Sequence, residues 1–328
     1  MPVLKLYLGL CLAAASAWPQ ARVASPDGRI VFELTPGAEQ LQYRVTFRGH
    51  PVVGPSPLGF DLQNQPSLGA NLKLTVAVPS SGDETYTMPH GKSNPVRNHY
   101  NALLADFEEA VPPGRRLSVE ARAYDDGVAF RYIIPEQAAL REVRIIREKT
   151  QVELAKDADT WPLVLASYRT PYEANYQHVP LGGIVPNWLI ALPFLAELPG
   201  TAFVAITEAQ IENYPGMYLS HATTGSGRVL EAKLAPRADE PELAASGTTP
   251  MRTPWRVLMI ADQPGRLIES NIIINLNPPS EIADTSWIKP GKAAWDWWSG
   301  TYAKDVNFTP GMNTETMKHY IDLSLIHI

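Results

Sequence analysis

Leu117-Ser118-Val119 opens a run of alternating apolar and polar residues that leads into Tyr124-Asp125-Asp126-Gly127, and beyond that tetrapeptide Val128, Phe130 and Tyr132 resume the alternation. A period of two sends successive side chains to opposite faces of a strand, and an Asp-Gly pair between two such runs is a turn signal, so the stretch predicts a β-hairpin. The same theme extends outward in both directions, from about residue 28 to residue 262. Leu41, Tyr43, Val45 and Phe47 alternate with Gln42, Arg44, Thr46 and Arg48, which predicts a strand with one buried and one wet face. Leu72, Leu74, Val76 and Val78 repeat the pattern and run into Pro79-Ser80-Ser81-Gly82-Asp83, a composition that predicts a turn. The 30 prolines and 22 glycines suit turns between many short strands. The expected fold is a large β-sandwich.

The N-terminus has a different character. Lys5 precedes an apolar run over residues 6–14, followed by Ala15-Ser16-Ala17 before Trp18, the charge, run and small-residue order of a secretory signal peptide. Residues 1–17 are therefore read as that signal and the protein as exported. The run is too short to span a membrane, and no later stretch approaches the roughly 20 apolar residues that spanning needs. Cys11 is the only cysteine and falls inside the signal, so the mature chain has no disulfide to stabilise it. Without the signal, 27 basic residues face 34 acidic ones, a net charge of −7. Such a surface repels phosphate backbones and argues against nucleic acid as a partner.

Past Asn277-Pro278-Pro279 the alternation stops. That stiff, extended break sets the end of the sandwich at residue 276 and a linker over residues 277–288. Residues 289–298 are a compact apolar and aromatic run suited to a buried strand. A helix is expected from Asn313, which can accept from first-turn amides, with Glu315 at the positive end of the dipole and Met317, Tyr320 and Ile321 as an apolar stripe. Strand, loop and helix make one βα unit over residues 289–322, which has no partners to bury its faces. The chain therefore reads as stopping within a domain. Residues 323–328, Leu-Ser-Leu-Ile-His-Ile, match one reading frame of a common transposon-based sequencing adapter and are read as an artefact.

The block Asp284-Thr285-Ser286-Trp287-Ile288-Lys289-Pro290-Gly291-Lys292-Ala293-Ala294-Trp295-Asp296-Trp297-Trp298 resembles the entry into the first barrel strand of glycoside hydrolase family 97. Asn313-Thr314-Glu315-Thr316-Met317 is similar to the helix that follows it there. Matching segments extend back through Glu212-Asn213-Tyr214-Pro215-Gly216-Met217, Ile206-Thr207-Glu208-Ala209, Tyr124-Asp125-Asp126-Gly127, Asn98-His99-Tyr100-Asn101 and Ser56-Pro57-Leu58-Gly59. The resemblance implies a mostly β chain, in which a large N-terminal β-supersandwich is followed by the first βα unit of a truncated (β/α)8 barrel. It further implies the front part of a calcium-dependent, exo-acting α-glycosidase, α-glucosidase first and α-galactosidase next, acting on α-linked oligosaccharides in the periplasm or outside a bacterial cell.

Residue by residue, the resemblance makes Glu208 a calcium ligand, and a carboxylate suits that hard cation. Read alone, Glu208 is an ordinary strand-end carboxylate. Trp295, Asp296, Trp297 and Trp298 would lie toward the end of a barrel strand where active sites are built, with indole faces for sugar rings and a carboxylate for hydroxyls. Core filling by alternate members of that run is the competing reading. Glu173 and Glu212 are second-rank candidates for the interdomain face, with plain surface carboxylates as the competing reading, and Lys289 and Lys292 read as rim charges that solvate a loop. Glycoside hydrolysis needs two carboxyl groups at the scissile bond. The resemblance places that pair on later barrel strands, so no catalytic acid or base is assigned. Scattered histidines and the lack of H-E-x-x-H, P-loop or G-x-S-x-G patterns remove zinc protease, nucleotide and serine-hydrolase readings. A non-catalytic carbohydrate-binding or structural β-sandwich module is the rival from another class.

Overall fold

A computed structural model describes residues 21–37, 39–88, 90–289, 291 and 302–326. The chain divides into two compact units, the first running to Pro278 and the second starting at Pro279. The proposed signal and the aromatic run over 292–298 lie outside the described residues.

The first unit is built on a thirteen-stranded sheet whose main path runs Gln151–Glu153, Val229–Leu234, Met217–His221, Leu189–Leu198, Ala202–Ala209, Trp255–Ala261, Gly127–Ile134, Arg116–Tyr124, Val96–Glu109 and Leu72–Tyr86. A four-stranded sheet, Ala21–Ala24, Ile30–Thr35, Leu41–Phe47 and His50–Leu58, covers part of its face. A three-stranded sheet of Phe60–Leu62, Glu142–Glu148 and Ala245–Thr248 covers another part. Aromatic rings lock the layers: Tyr43 meets Phe130 at 4.9 Å between centroids, and Phe60 meets Tyr132 edge-on at 4.7 Å. Each of these rings is fully buried, a state worth roughly 1.5–3 kcal/mol per large apolar side chain.

The predicted hairpin is present. Val119 lies opposite Tyr132, and Leu117 and Val119 share the core with Phe130 and Tyr132. Its turn differs in detail from the Asp-Gly reading. Tyr124 pairs with Gly127, so Asp125 and Asp126 form the two-residue loop, and Gly127 opens the return strand without a positive φ. What Gly127 supplies is space: a Cβ there would sit 2.4 Å from the Leu258 carbonyl oxygen and 2.8 Å from Ile272 Cδ1. The outer face of this hairpin is covered too. Tyr124 and Ala129 join Trp255, Val257, Ile272 and Leu276 in a second core under the short helix Ile272–Leu276.

Leu41–Phe47 keeps one buried and one wetter face, as its alternation predicts. Leu72–Tyr86 does not follow its pattern. Pro79-Ser80-Ser81-Gly82-Asp83 forms no turn but continues a fifteen-residue strand paired with Val96–Glu109, with one irregularity at Thr75, and Val76 and Val78 are exposed. The long partner strand supplies a continuous ladder, and at the sheet edge a proline is tolerated because the missing amide faces no neighbour. Gly82 fits there because the Tyr100 ring lies where its Cβ would be, at 2.7 Å.

In the second unit the expected helix spans Thr314–Ile326. Asn313 Oδ1 accepts from the Thr316 amide at 2.9 Å, the cap its position predicts. Met317 and Tyr320 are half-buried and Ile321 is exposed. No helix among the described residues is long and apolar enough to cross a membrane.

Candidate functional site

Glu208 sits near the end of Ala202–Ala209, directly opposite Arg256 on the neighbouring strand. Opposed residues of an antiparallel pair share a face, and Arg256 Nη1 donates to Glu208 Oε2 at 2.8 Å. The other oxygen, Oε1, accepts from the Met217 amide at 2.8 Å, where the chain returns after the turn at 210–216. Gln210 and Asn213 make that reversal with φ of 54° and 50°.

Arg256 also reaches across to the three-stranded sheet. Its Nε donates to Glu148 Oε1 at 2.8 Å and its Nη2 to Oε2 at 2.6 Å, the bidentate geometry that suits guanidinium and carboxylate. Thr150 Oγ1 at 2.7 Å and the Tyr214 hydroxyl at 3.0 Å complete the shell of Glu148, and Tyr132 lies 2.6 Å from Thr150 Oγ1. Side-chain exposure falls from 10% at Glu208 to 3% at Arg256 and 0% at Glu148. Two carboxylates thus face one guanidinium, and the uncompensated charge lies at the outer one, Glu208.

The proton affinities follow this layering. Burial pushes the Glu208 carboxyl above its ordinary value, only partly opposed by Arg256 and the Met217 amide. Burial acts on Glu148 in the same sense, but Arg256, Thr150 and Tyr214 outweigh it and hold Glu148 below the usual carboxylate range. Arg256, desolvated yet flanked by both carboxylates, is held still more firmly protonated.

On the other side of the same sheet end, the Trp255 ring lies under the guanidinium of Arg131 at 4.3 Å and beside that of Arg122 at 5.0 Å. Gln210 Oε1 accepts from both Arg131 and the Trp255 indole, which ties the residue after Glu208's strand to the sheet.

Of the other candidates, Trp295, Asp296, Trp297, Trp298 and Lys292 lie outside the described residues. Glu173, Glu212 and Lys289 are exposed, and Glu212 Oε1 accepts from Gln210 at 3.4 Å. Sequence reasoning singled out Glu208 and missed Arg256, Glu148 and Trp255. A lone arginine in Trp255-Arg256-Val257-Leu258-Met259-Ile260, an otherwise apolar strand, was the available signal for a buried ion pair.

Both oxygens of Glu208 retain a lone-pair position after these bonds, so it fits as one oxygen ligand of a hard cation. Among the described residues, no group of three or more His, Cys, Asp or Glu could hold a metal ion. A complete site would need further ligands from elsewhere.

This geometry lies within a domain that a family model matches over residues 23–279, described as glycosyl-hydrolase 97 N-terminal. The chain belongs to glycoside hydrolase family 97. It is 31% identical over 340 residues to a retaining alpha-galactosidase of Bacteroides thetaiotaomicron, covering 96% of this chain and 50% of that protein. A probable retaining alpha-galactosidase of Streptomyces bingchenggensis is 29% identical, over 94% of this chain and 45% of its own length. Among solved structures, a glycoside hydrolase family 97 enzyme from Pseudoalteromonas sp. strain K8 in complex with panose superposes with a TM-score of 0.83 at 28% identity, over 94% of this chain and 46% of that one. The chain thus spans about half the length of the curated relatives it matches.

Proposed function

We propose that this chain is the N-terminal part of an exported, calcium-dependent, exo-acting α-glycosidase, and that its preferred substrates are α-linked galactosides. The reading is carried by the match of almost the whole chain to two proteins named as retaining or probable retaining alpha-galactosidases. A second specificity, for α-glucosides, is favoured by the likeness to the panose-bound enzyme, since panose is an α-glucosyl trisaccharide. Export rests on the signal-like order of residues 1–17.

In this reading the sandwich supports the reaction without holding the reacting carboxylates. A retaining enzyme uses one carboxyl group as acid and then base, and a second as nucleophile. Both would come from the remainder of the intact enzyme, with Trp295, Asp296, Trp297 and Trp298 near the sugar. Glu208 would give calcium one carboxylate, oriented by Arg256 and the Met217 amide. When bound, the cation would supply fixed positive charge to polarise oxygens of the substrate.

The test uses the intact enzyme, with α-galactosides and α-glucosides offered in parallel after exhaustive chelation and after calcium is restored. Cleavage of an α-galactoside that disappears on chelation and returns with calcium supports the proposal. Glu208→Gln should raise the calcium concentration needed for half-maximal stabilisation in thermal unfolding by at least about tenfold, because a direct carboxylate ligand should matter no less than the groups that orient ligands. Full activity after chelation would overturn the calcium assignment, and no cleavage of either glycoside would overturn the enzyme class.

A further inference from the structure

Beside Glu208 the chain assembles three tyrosines. Met217, whose amide holds Glu208, is followed by Tyr218, which points to the opposite face of Met217–His221. Tyr218 packs edge-to-face against Tyr168, with ring centroids 5.1 Å apart and planes at 80°. Its hydroxyl accepts a hydrogen bond from the hydroxyl of Tyr172 at 3.0 Å.

Tyr172 itself lies in the loop before Val179–Pro180 and is 52% exposed. Partial burial, the bond to Tyr218 and the nearby Tyr218 and Glu208 push its phenol up to about 12, so it remains a neutral donor across the physiological range. The ring is thus fixed at its hydroxyl end while much of its surface stays open to solvent. A tyrosine held only for packing would turn its ring inward, where burial stabilises it. Here the hydroxyl is satisfied and the ring surface is left available. Because Tyr218 accepts from Tyr172, its own proton is left to donate elsewhere.

We propose that Tyr172, braced by Tyr218 and Tyr168, is a stacking platform for one pyranose ring of an α-linked oligosaccharide, forming a subsite beyond the unit that carries the scissile bond. The C–H face of a pyranose is apolar and matches an aromatic ring, and the Tyr218 hydroxyl would donate to a hydroxyl at the edge of the same sugar. The choice of ligand rests on the glycosidase reading above, and the platform on the tyrosine geometry.

The first test is binding, because it does not depend on catalysis. Saturation-transfer NMR of this chain with raffinose and with panose should show transfer to at least one trisaccharide. The signal should fall at least fivefold in Tyr172→Ala and persist in Tyr172→Trp. Absence of transfer with the unaltered chain, or equal transfer in Tyr172→Ala, overturns the platform. In the intact enzyme, Tyr172→Ala should lower kcat/KM for the trisaccharide about tenfold through KM, leaving hydrolysis of the matching α-glycosyl fluoride, which has no second sugar, unchanged. Equal losses on both donors would make Tyr172 merely structural and overturn the subsite. An intact enzyme that cleaves neither donor would defeat the glycosidase reading, while the binding result would still decide whether the platform takes sugar.

Discussion

Arg256 grips Glu148 through two parallel hydrogen bonds, of 2.8 and 2.6 Å, with both side chains almost completely shielded from water. This pair joins the thirteen-stranded sheet to the three-stranded sheet, because Arg256 lies in Trp255–Ala261 and Glu148 ends Glu142–Glu148. The third contact of Arg256, to Glu208, extends the connection to the proposed cation ligand. Fold stability and the placement of Glu208 therefore depend on one guanidinium.

Arg256→Met should be among the most damaging single changes in the first unit. It leaves Glu148 ionised and buried with only Thr150 and Tyr214 to satisfy it. Losing one partner of a buried ion pair costs about 3–5 kcal/mol. The double change Arg256→Met with Glu148→Leu removes the stranded charge and should recover part of that loss. Denaturant unfolding of the unaltered protein and the two variants checks this, and a double variant no more stable than Arg256→Met would show that the charge is not the cause.

Gly127→Ala tests a different kind of constraint. The backbone at Gly127 is acceptable for any residue, but an added methyl would lie 2.4 Å from the Leu258 carbonyl oxygen and 2.9 Å from Met259 Cα. Backbone cannot yield as a flexible side chain can, so the strands Gly127–Ile134 and Trp255–Ala261 must separate locally. Overpacking of this sort costs about 1–3 kcal/mol. The expected result is a lower midpoint in thermal unfolding for Gly127→Ala, and no such loss for Gly265→Ala in the helix Pro264–Glu269, where nothing lies within 4 Å and the backbone is not left-handed.

These two positions show where the sequence was legible. Period-two alternation was enough to place Leu41–Phe47 and the hairpin around residues 117–132, because burial on one face of a sheet imposes that period directly. It misread residues 79–83, where composition suggests a turn and a long neighbouring strand enforces a ladder instead. It also gave Gly127 a turn's reason when the true reason is the nearness of Leu258, 131 positions along the chain. Glu208 was found through resemblance, while Glu148 and Arg256 were missed: their partnership spans 108 residues and has no local pattern.

Asp126, in the hairpin loop, provides a pH-dependent prediction. Burial raises its carboxyl above the ordinary value of 3.8, against a weaker opposing effect from Ser270. The folded chain therefore holds this proton more tightly than the unfolded one, and between 3.8 and the raised value stability falls as pH rises. Above that window the full cost of the ionised group is present, and below it none is. Asp126→Asn keeps the shape and removes the charge. It should stabilise the first unit at neutral pH, and the gain should shrink to nothing as the pH is lowered through the window. Thermal melts of both proteins from acid to neutral pH would check this; a gain that stays constant across the range would mean that the Asp126 carboxylate is not held at a cost.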